Sequence, residues 1–151
     1  MIKIICVGKI KEKFFTDAIK EYEKRLSKYT KLQIIEVPDV YYESPDVCMK
    51  KEAEYIQKYV AAKDYVITLE INGNTLSSIE LSNKLDSIFQ INSTIDFIIG
   101  GSHGLFDTMK NRSNYALSFS KLTFPHQMFR IMLLEQIYRS FKIINNESYH
   151  K

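Results

Sequence analysis

Three of the chain's five glycines fall within five residues, in GGSHG (100–104), directly after its most apolar run. Glycine permits positive φ and lets a ligand approach the main chain closely. This segment is either a tight turn before Leu105 or a cradle that holds a small polar cofactor through backbone N–H and C=O groups. A second segment, LSFSKLTFPHQMFR (117–130), runs hydroxyl residues into Pro125, which opens a helix whose first N–H groups lack internal partners. Ser118, Ser120 and Thr123 could satisfy those groups, or the loop SKLTF could wrap a ligand beside the glycine turn. LEING (69–73) is a third strand end pointing the same way.

The sequence closes on Ser148-Tyr149-His150-Lys151. Such a run is either a frayed tail or an RNA contact, in which the aromatic stacks on an unpaired base and the cation meets a phosphate. The formal net charge is only +3, but it is unevenly spread. Residues 1–99 hold 14 Lys/Arg against 15 Asp/Glu, and residues 100–151 hold 7 against 3. Any positive field therefore belongs to the last third, with Arg112, Lys121, Arg130, Arg139 and Lys142. His103 and His126 flank the proposed pocket, but neither HExxH nor a Cys/His ligand spacing occurs, so no metal site is expected.

These segments need a scaffold, and the hydrophobic pattern supplies one. Strands are expected at 2–8, 32–37, 65–71, 94–101 and 115–120, with Asn72-Gly73-Asn74 as a turn. Between them lie helix periods from Glu12 to about Tyr29, Val47 to Ala62, Ser77 to Phe89, and Pro125 to about Ile144. Ser44-Pro45 after the polar turn VYYESPD is a plausible helix start, and Ser77 with Glu80 fits a capping box. Strands alternating with helices of this length predict an α/β fold with a parallel sheet covered on both faces, as one domain over 1–151.

Open parallel sheets bind ligands beyond the carboxyl ends of their strands. A dinucleotide or nucleotide site of the common kind would put glycines after the first strand, yet VGKIKEKF has only Gly8. Neither GxGxxG nor GxxxxGK[ST] occurs, which argues against a nicotinamide oxidoreductase and a nucleotide hydrolase. The last helix is apolar nearly all round, with Phe129, Leu133, Ile137 and Phe141 every four residues. Either it is buried within the monomer or one face meets another protomer, and for a C-terminal helix on a domain of this size the protomer contact is the reading favoured.

Composition agrees with a globular chain: 45% hydrophobic and 26% charged over 151 residues. Cys6 and Cys48 cannot make a disulfide framework, and no apolar run approaches a membrane span or a secretory signal, so a reducing cytosol is expected.

FIIGGSHGL (97–105), LSFSKLTFPHQMFRIMLLEQIYRSFKI (117–143), the terminal YHK (149–151) and the opening IKIICVGKIKEKF together resemble the small bacterial RlmH-type methyltransferases of the SPOUT class. The resemblance spans the full length. It implies a homodimer whose C-terminal segment threads a trefoil knot, which general topology rules would reject. It also implies transfer of a methyl group from S-adenosylmethionine to N3 of a pseudouridine in helix 69 of 23S ribosomal RNA, within the ribosome and in the cytoplasm. By the same resemblance Leu69, Gly100, Gly101 and the run Phe119, Ser120, Lys121, Leu122, Thr123 and Phe124 hold the donor. Tyr149, His150 and Lys151 match the family's terminal motif; some relatives have arginine where Lys151 stands. His150, Tyr149 or a water would then accept the ring proton, an imidazole titrating near pH 6.5 when unperturbed. Arg139, Lys142 and Lys151 would contact RNA. Two rivals are a knotted methyltransferase acting on transfer RNA or another nucleotide, and a non-catalytic ribosome-binding domain of the same fold.

Overall fold

A computed structural model describes residues 1–41 and 44–151. Its elements run β1 (Ile2–Val7), α1 (Lys13–Leu26), β2 (Leu32–Val37), α2 (Pro45–Gln57), β3 (Tyr65–Thr75), α3 (Ser78–Phe89), β4 (Ile95–Ile99), α4 (Asp107–Arg112), β5 (Tyr115–Ser118) and α5 (His126–Ile144). The strands form one sheet in the order β2-β1-β4-β3-β5, every pair parallel. The expected α/β architecture with a parallel sheet is what the chain adopts.

Side-chain alternation along the strands divides the core in two. Ile2, Ile4 and Cys6 of β1 face a cluster completed by Leu26 of α1, Leu81 and Leu85 of α3, and Leu133, Leu134 and Ile137 of α5. Ile5 and Val7 face the other side, against Ala53 and Ile56 of α2 and Met109 of α4. β1 and β4 are buried along their whole length, which is why their sequences are apolar except for Lys3 and Asp96, which pair with each other at 3.2 Å. Cys6 behaves as a small core hydrophobe, its thiol pushed up to about 12 by burial, and Cys48 is also buried.

Helix starts follow their local chemistry. Pro45 occupies the first turn of α2 after Ser44. Ser77 caps α3 reciprocally: Glu80 N–H donates to Ser77 Oγ at 3.1 Å, and Ser77 N–H donates to Glu80 Oε2 at 2.7 Å. Part of the expected turn at VYYESPD, Tyr42 and Glu43, lies outside the described residues.

Several expectations need correction. α2 ends at Gln57 rather than Ala62, and the short polar helix α4 carries too little periodicity to be read in advance. β3 does not stop at Ile71. The expected turn at Asn72-Gly73-Asn74 is instead part of the strand, which leaves the β5 ladder after Leu69 for a four-residue detour and returns, so that Leu69 and Asn74 both pair with Leu117 of β5. Gly73 is required there, because a Cβ would sit 2.9 Å from the Ala116 carbonyl. The fully buried Leu133 and Ile137 show that the α5 stripe is core within the protomer; Met128, 43% exposed, lies off that stripe.

β5 lies at the sheet edge beside β3, yet Arg130 of α5 reaches the main chain at the end of β1. Residues 119–125 therefore cross the carboxyl ends of β3 and β4 to deliver α5 to the other side. This crossing builds the site.

Candidate functional site

The crossing segment, the β3 detour and the glycine turn meet at the carboxyl end of the sheet. They enclose a cleft of about 460 Å³, within the range of small-molecule sites. β3 contributes Leu69 to Asn72, and the turn after β4 contributes Gly100 to Leu105. Leu117 to Ser120, Leu122 to Phe124, His126 and Phe129 form the facing wall. Of the donor-holding residues expected from sequence, the cleft brings together Leu69, Gly100, Gly101, Phe119, Ser120, Leu122, Thr123 and Phe124; Lys121 is exposed and is not in the lining. His103 and His126 line it too, as expected.

The wall is stiffened locally. Ser118 Oγ donates to the Ile71 carbonyl at 2.8 Å, joining detour to crossing segment, and Leu122 N–H donates to Ser120 Oγ at 3.0 Å. Phe129 meets Phe119 edge-on at 4.8 Å and stacks near Phe124 at 6.4 Å, giving one apolar side. Among the described residues, the amides of Ser120, Lys121, Thr123 and Phe124 donate to no protein carbonyl, so they remain available to a ligand.

The glycines make the tight turn, one of the two readings of GGSHG. A Cβ on Gly100 would lie 2.6 Å from the Gly104 carbonyl oxygen, and one on Gly101 would lie 3.0 Å from Glu52 Oε2. Gly104 has φ +88°. The turn thus needs glycine to close on itself and on Glu52, and its shape then offers main chain to the cleft. Sequence reasoning missed Glu52, a buried carboxyl whose titration is pushed up chiefly by burial. A charged residue inside an otherwise ordinary helix period gives no signal of burial. It also missed Lys110, which α4 brings into the lining of the cleft along with the acid Glu70. Burial and the neighbouring Arg130 charge push His126 below the usual imidazole value, which keeps it neutral at pH 7.

The terminal residues lie elsewhere. Tyr149 Oη donates to Glu135 Oε1 at 3.0 Å, and its ring sits under the Arg139 guanidinium at 4.7 Å and edge-on to Tyr138 at 5.0 Å. Arg139 Nη1 is 3.2 Å from His150 Nδ1. Glu135 is six residues beyond Phe129, the last residue of α5 in the lining, about 9 Å along the helix, and Tyr149, His150 and Lys151 do not line the cleft of their own protomer. Two of the expected RNA contacts are ion-paired: Arg139 with Glu135 at 2.6 Å and Lys142 with Glu147 at 2.6 Å. Arg112 is spent on the carbonyls of Ala61, Ala62 and Asp64. Much of the basic excess of the last third is therefore neutralised or structural.

No group of three or more His, Cys, Asp or Glu among the described residues could hold a metal ion, and no described helix is long and apolar enough to cross a membrane. The family model described as "Predicted SPOUT methyltransferase" matches residues 1–150. A protein of Caldicellulosiruptor saccharolyticus called ribosomal RNA large subunit methyltransferase H is 50% identical over 154 aligned positions, covering all of both chains. One of the same name from Clostridium botulinum (strain 657 / Type Ba4) is 51% identical, covering 99% of each. With cleft, topology and full-length similarity in agreement, the chain belongs to the SPOUT methyltransferase family, in its RlmH branch.

Proposed function

We propose that this chain methylates 23S ribosomal RNA at N3 of a pseudouridine in helix 69, using S-adenosylmethionine, on assembled ribosomes in the cytosol and as a homodimer. The observation that carries this reading is the meeting of residues 69–72, 100–105 and 117–126 in one cleft. The name shared by the relatives supports a large-subunit RNA substrate.

The cleft suits such a donor. It offers unengaged amides on the crossing segment, an aromatic side, and one charge of each sign, Glu70 and Lys110, for a molecule that carries both. Leu69, Gly100, Gly101 and Phe119 to Phe124 would hold it. When bound, S-adenosylmethionine supplies an electrophilic methyl group on a sulfonium. The protein's tasks are then alignment for in-line attack and exclusion of water. Phe119, Phe124 and Phe129 serve the second, since their rings present no competing nucleophile.

The target ring nitrogen carries a proton that must leave. Burial and the Glu135 carboxylate push the Tyr149 hydroxyl upward, so it stays protonated and orients rather than accepts. His150 is the better proton acceptor in this reading. Because the tail lies against its own α5, about two turns from its own cleft, the reading assigns the tail of one protomer to the partner's cleft, with Arg139 and Lys151 directed to RNA. Met128 and Leu122, exposed at 43% and 71%, are the apolar residues offered to that partner. Passage of residues 119–144 through the preceding loops, as a trefoil knot, is the same reading's account of the crossing.

Mass mapping of ribosomal RNA from cells with and without the gene tests the proposal. A single methyl group lost from helix 69 is the expected result; an unchanged helix 69, or loss of a mark on transfer RNA, overturns it.

A further inference from the structure

Arg130 is 2% exposed, an unusual place for a guanidinium. Its Nη2 donates to the carbonyls of Val7 at 2.9 Å and Gly8 at 2.7 Å, where β1 ends. Its Nη1 donates to Glu36 Oε2 of β2 at 2.7 Å, and the same carboxylate oxygen accepts from Ile10 N–H at 2.9 Å. Four pieces of chain, the end of β1, the loop after it, β2 and α5, are joined through one side chain. Gly8 contributes its positive φ of 86° to that junction.

The site connection is direct. His126, one helical turn before Arg130, and the adjacent Phe129 both line the cleft. The crossing segment that forms the cleft wall has no sheet partner of its own after Ser118. It is held at one end by β5 and at the other by the start of α5. Lysine at 130 would keep the charge but could not span two carbonyls and a carboxylate with a fixed planar fork.

We propose that Arg130 is a positioning residue for the donor cleft: its clasp on Val7, Gly8 and Glu36 fixes the start of α5 and, through it, the wall formed by residues 119–126. This rests on the reading of the cleft as the donor site, but the clasp can be tested without the donor. Amide hydrogen exchange on the full chain would compare wild type, Arg130→Lys and Glu36→Gln. In Arg130→Lys, the hydrogen-bonded amides of Leu122 and Phe129 and those of the next turn of α5 are expected to exchange about tenfold faster or more, with those of α1 and α3 unchanged, and S-adenosylmethionine affinity by calorimetry to fall by a similar factor. Glu36→Gln keeps an acceptor for both Arg130 and Ile10 and is expected to stay close to wild type. If Arg130→Lys fails to fold, Glu36→Ala, which removes one leg of the clasp, is expected to give a smaller acceleration in the same segment. Unchanged exchange at Leu122, Phe129 and the next turn of α5, or equal acceleration throughout the molecule, overturns the proposal. A wild-type protein that takes up no S-adenosylmethionine would overturn the donor-site reading instead, and the exchange comparison would still decide the clasp.

Discussion

Gly101 stands against Glu52 so closely that a methyl group in place of its hydrogen would lie 3.0 Å from Oε2 and 3.1 Å from Val7 Cγ1. The glycine turn is thus shaped from beneath, by α2 and β1, before any ligand is considered.

The three turn glycines should rank by what an added Cβ meets. Gly100→Ala faces main chain at 2.6 Å and should be the most harmful, costing several kcal/mol or preventing folding. Gly101→Ala meets the end of a flexible carboxylate and should cost about 1–3 kcal/mol. Gly104→Ala meets open space and should cost about 1–2 kcal/mol through its left-handed φ alone. Urea unfolding of the three variants checks the order; equal losses would contradict it.

Asp96 and Asp64 share Lys3 at the far end of the sheet, with Lys3 Nζ 3.2 Å from Asp96 Oδ1 and 2.8 Å from Asp64 Oδ2. Burial pushes Asp96 up to about 7 while Lys3 holds Asp64 low. A carboxyl raised in the folded state stabilises below its unfolded pKa of about 4, and that contribution is lost as pH rises through about 7. Asp96→Asn, neutral throughout, should therefore gain stability relative to wild type as pH moves from 5 to 8. Denaturant midpoints at the two pH values measure this, and a constant difference would refute it.

Deleting residues 148–151 should abolish methylation, with S-adenosylmethionine affinity within about twofold of wild type, since none of these residues lines the cleft. If the tail serves the partner's cleft, mixing this truncation with a Phe124→Glu chain should restore activity in the hybrid dimer. No recovery above the separate variants would place the tail's action within one protomer.

Ser118→Ala removes the bond to the Ile71 carbonyl and should cost about 1 kcal/mol in stability. Donor affinity should fall by about tenfold, because the detour and the crossing segment lose their tie. Calorimetry beside thermal unfolding separates the two effects.

The strands and their order of appearance were readable because β1, β3 and β4 carry runs that only a two-sided parallel sheet can bury. The convergence of Leu69, Gly100 and Ser120 was readable because Gly100 and Ser120 follow their strands, and Leu69 leaves the β5 ladder, at the same end of the sheet. What escaped were features that depend on partners distant in sequence. Arg130 looks like one more surface cation until Val7, Gly8 and Glu36 close around it. Glu52 and the Lys3 cluster likewise look exposed by composition. Asn72-Gly73-Asn74 read as a turn, but these residues lie inside β3, and no local rule states that a strand shifts register there and pairs with Leu117 again.

That resumption separates two jobs along β3. Residues before and after the excursion fix the edge strand, whereas Glu70 to Gly73 are held at both ends and carry no ladder pairing with β5. Length changes inserted at Ile71 or Asn72 would alter the depth and polarity of the binding mouth while the architecture beneath stayed as it is. A selectivity screen confined to this short arc could therefore retune what the protein accepts without re-engineering its frame.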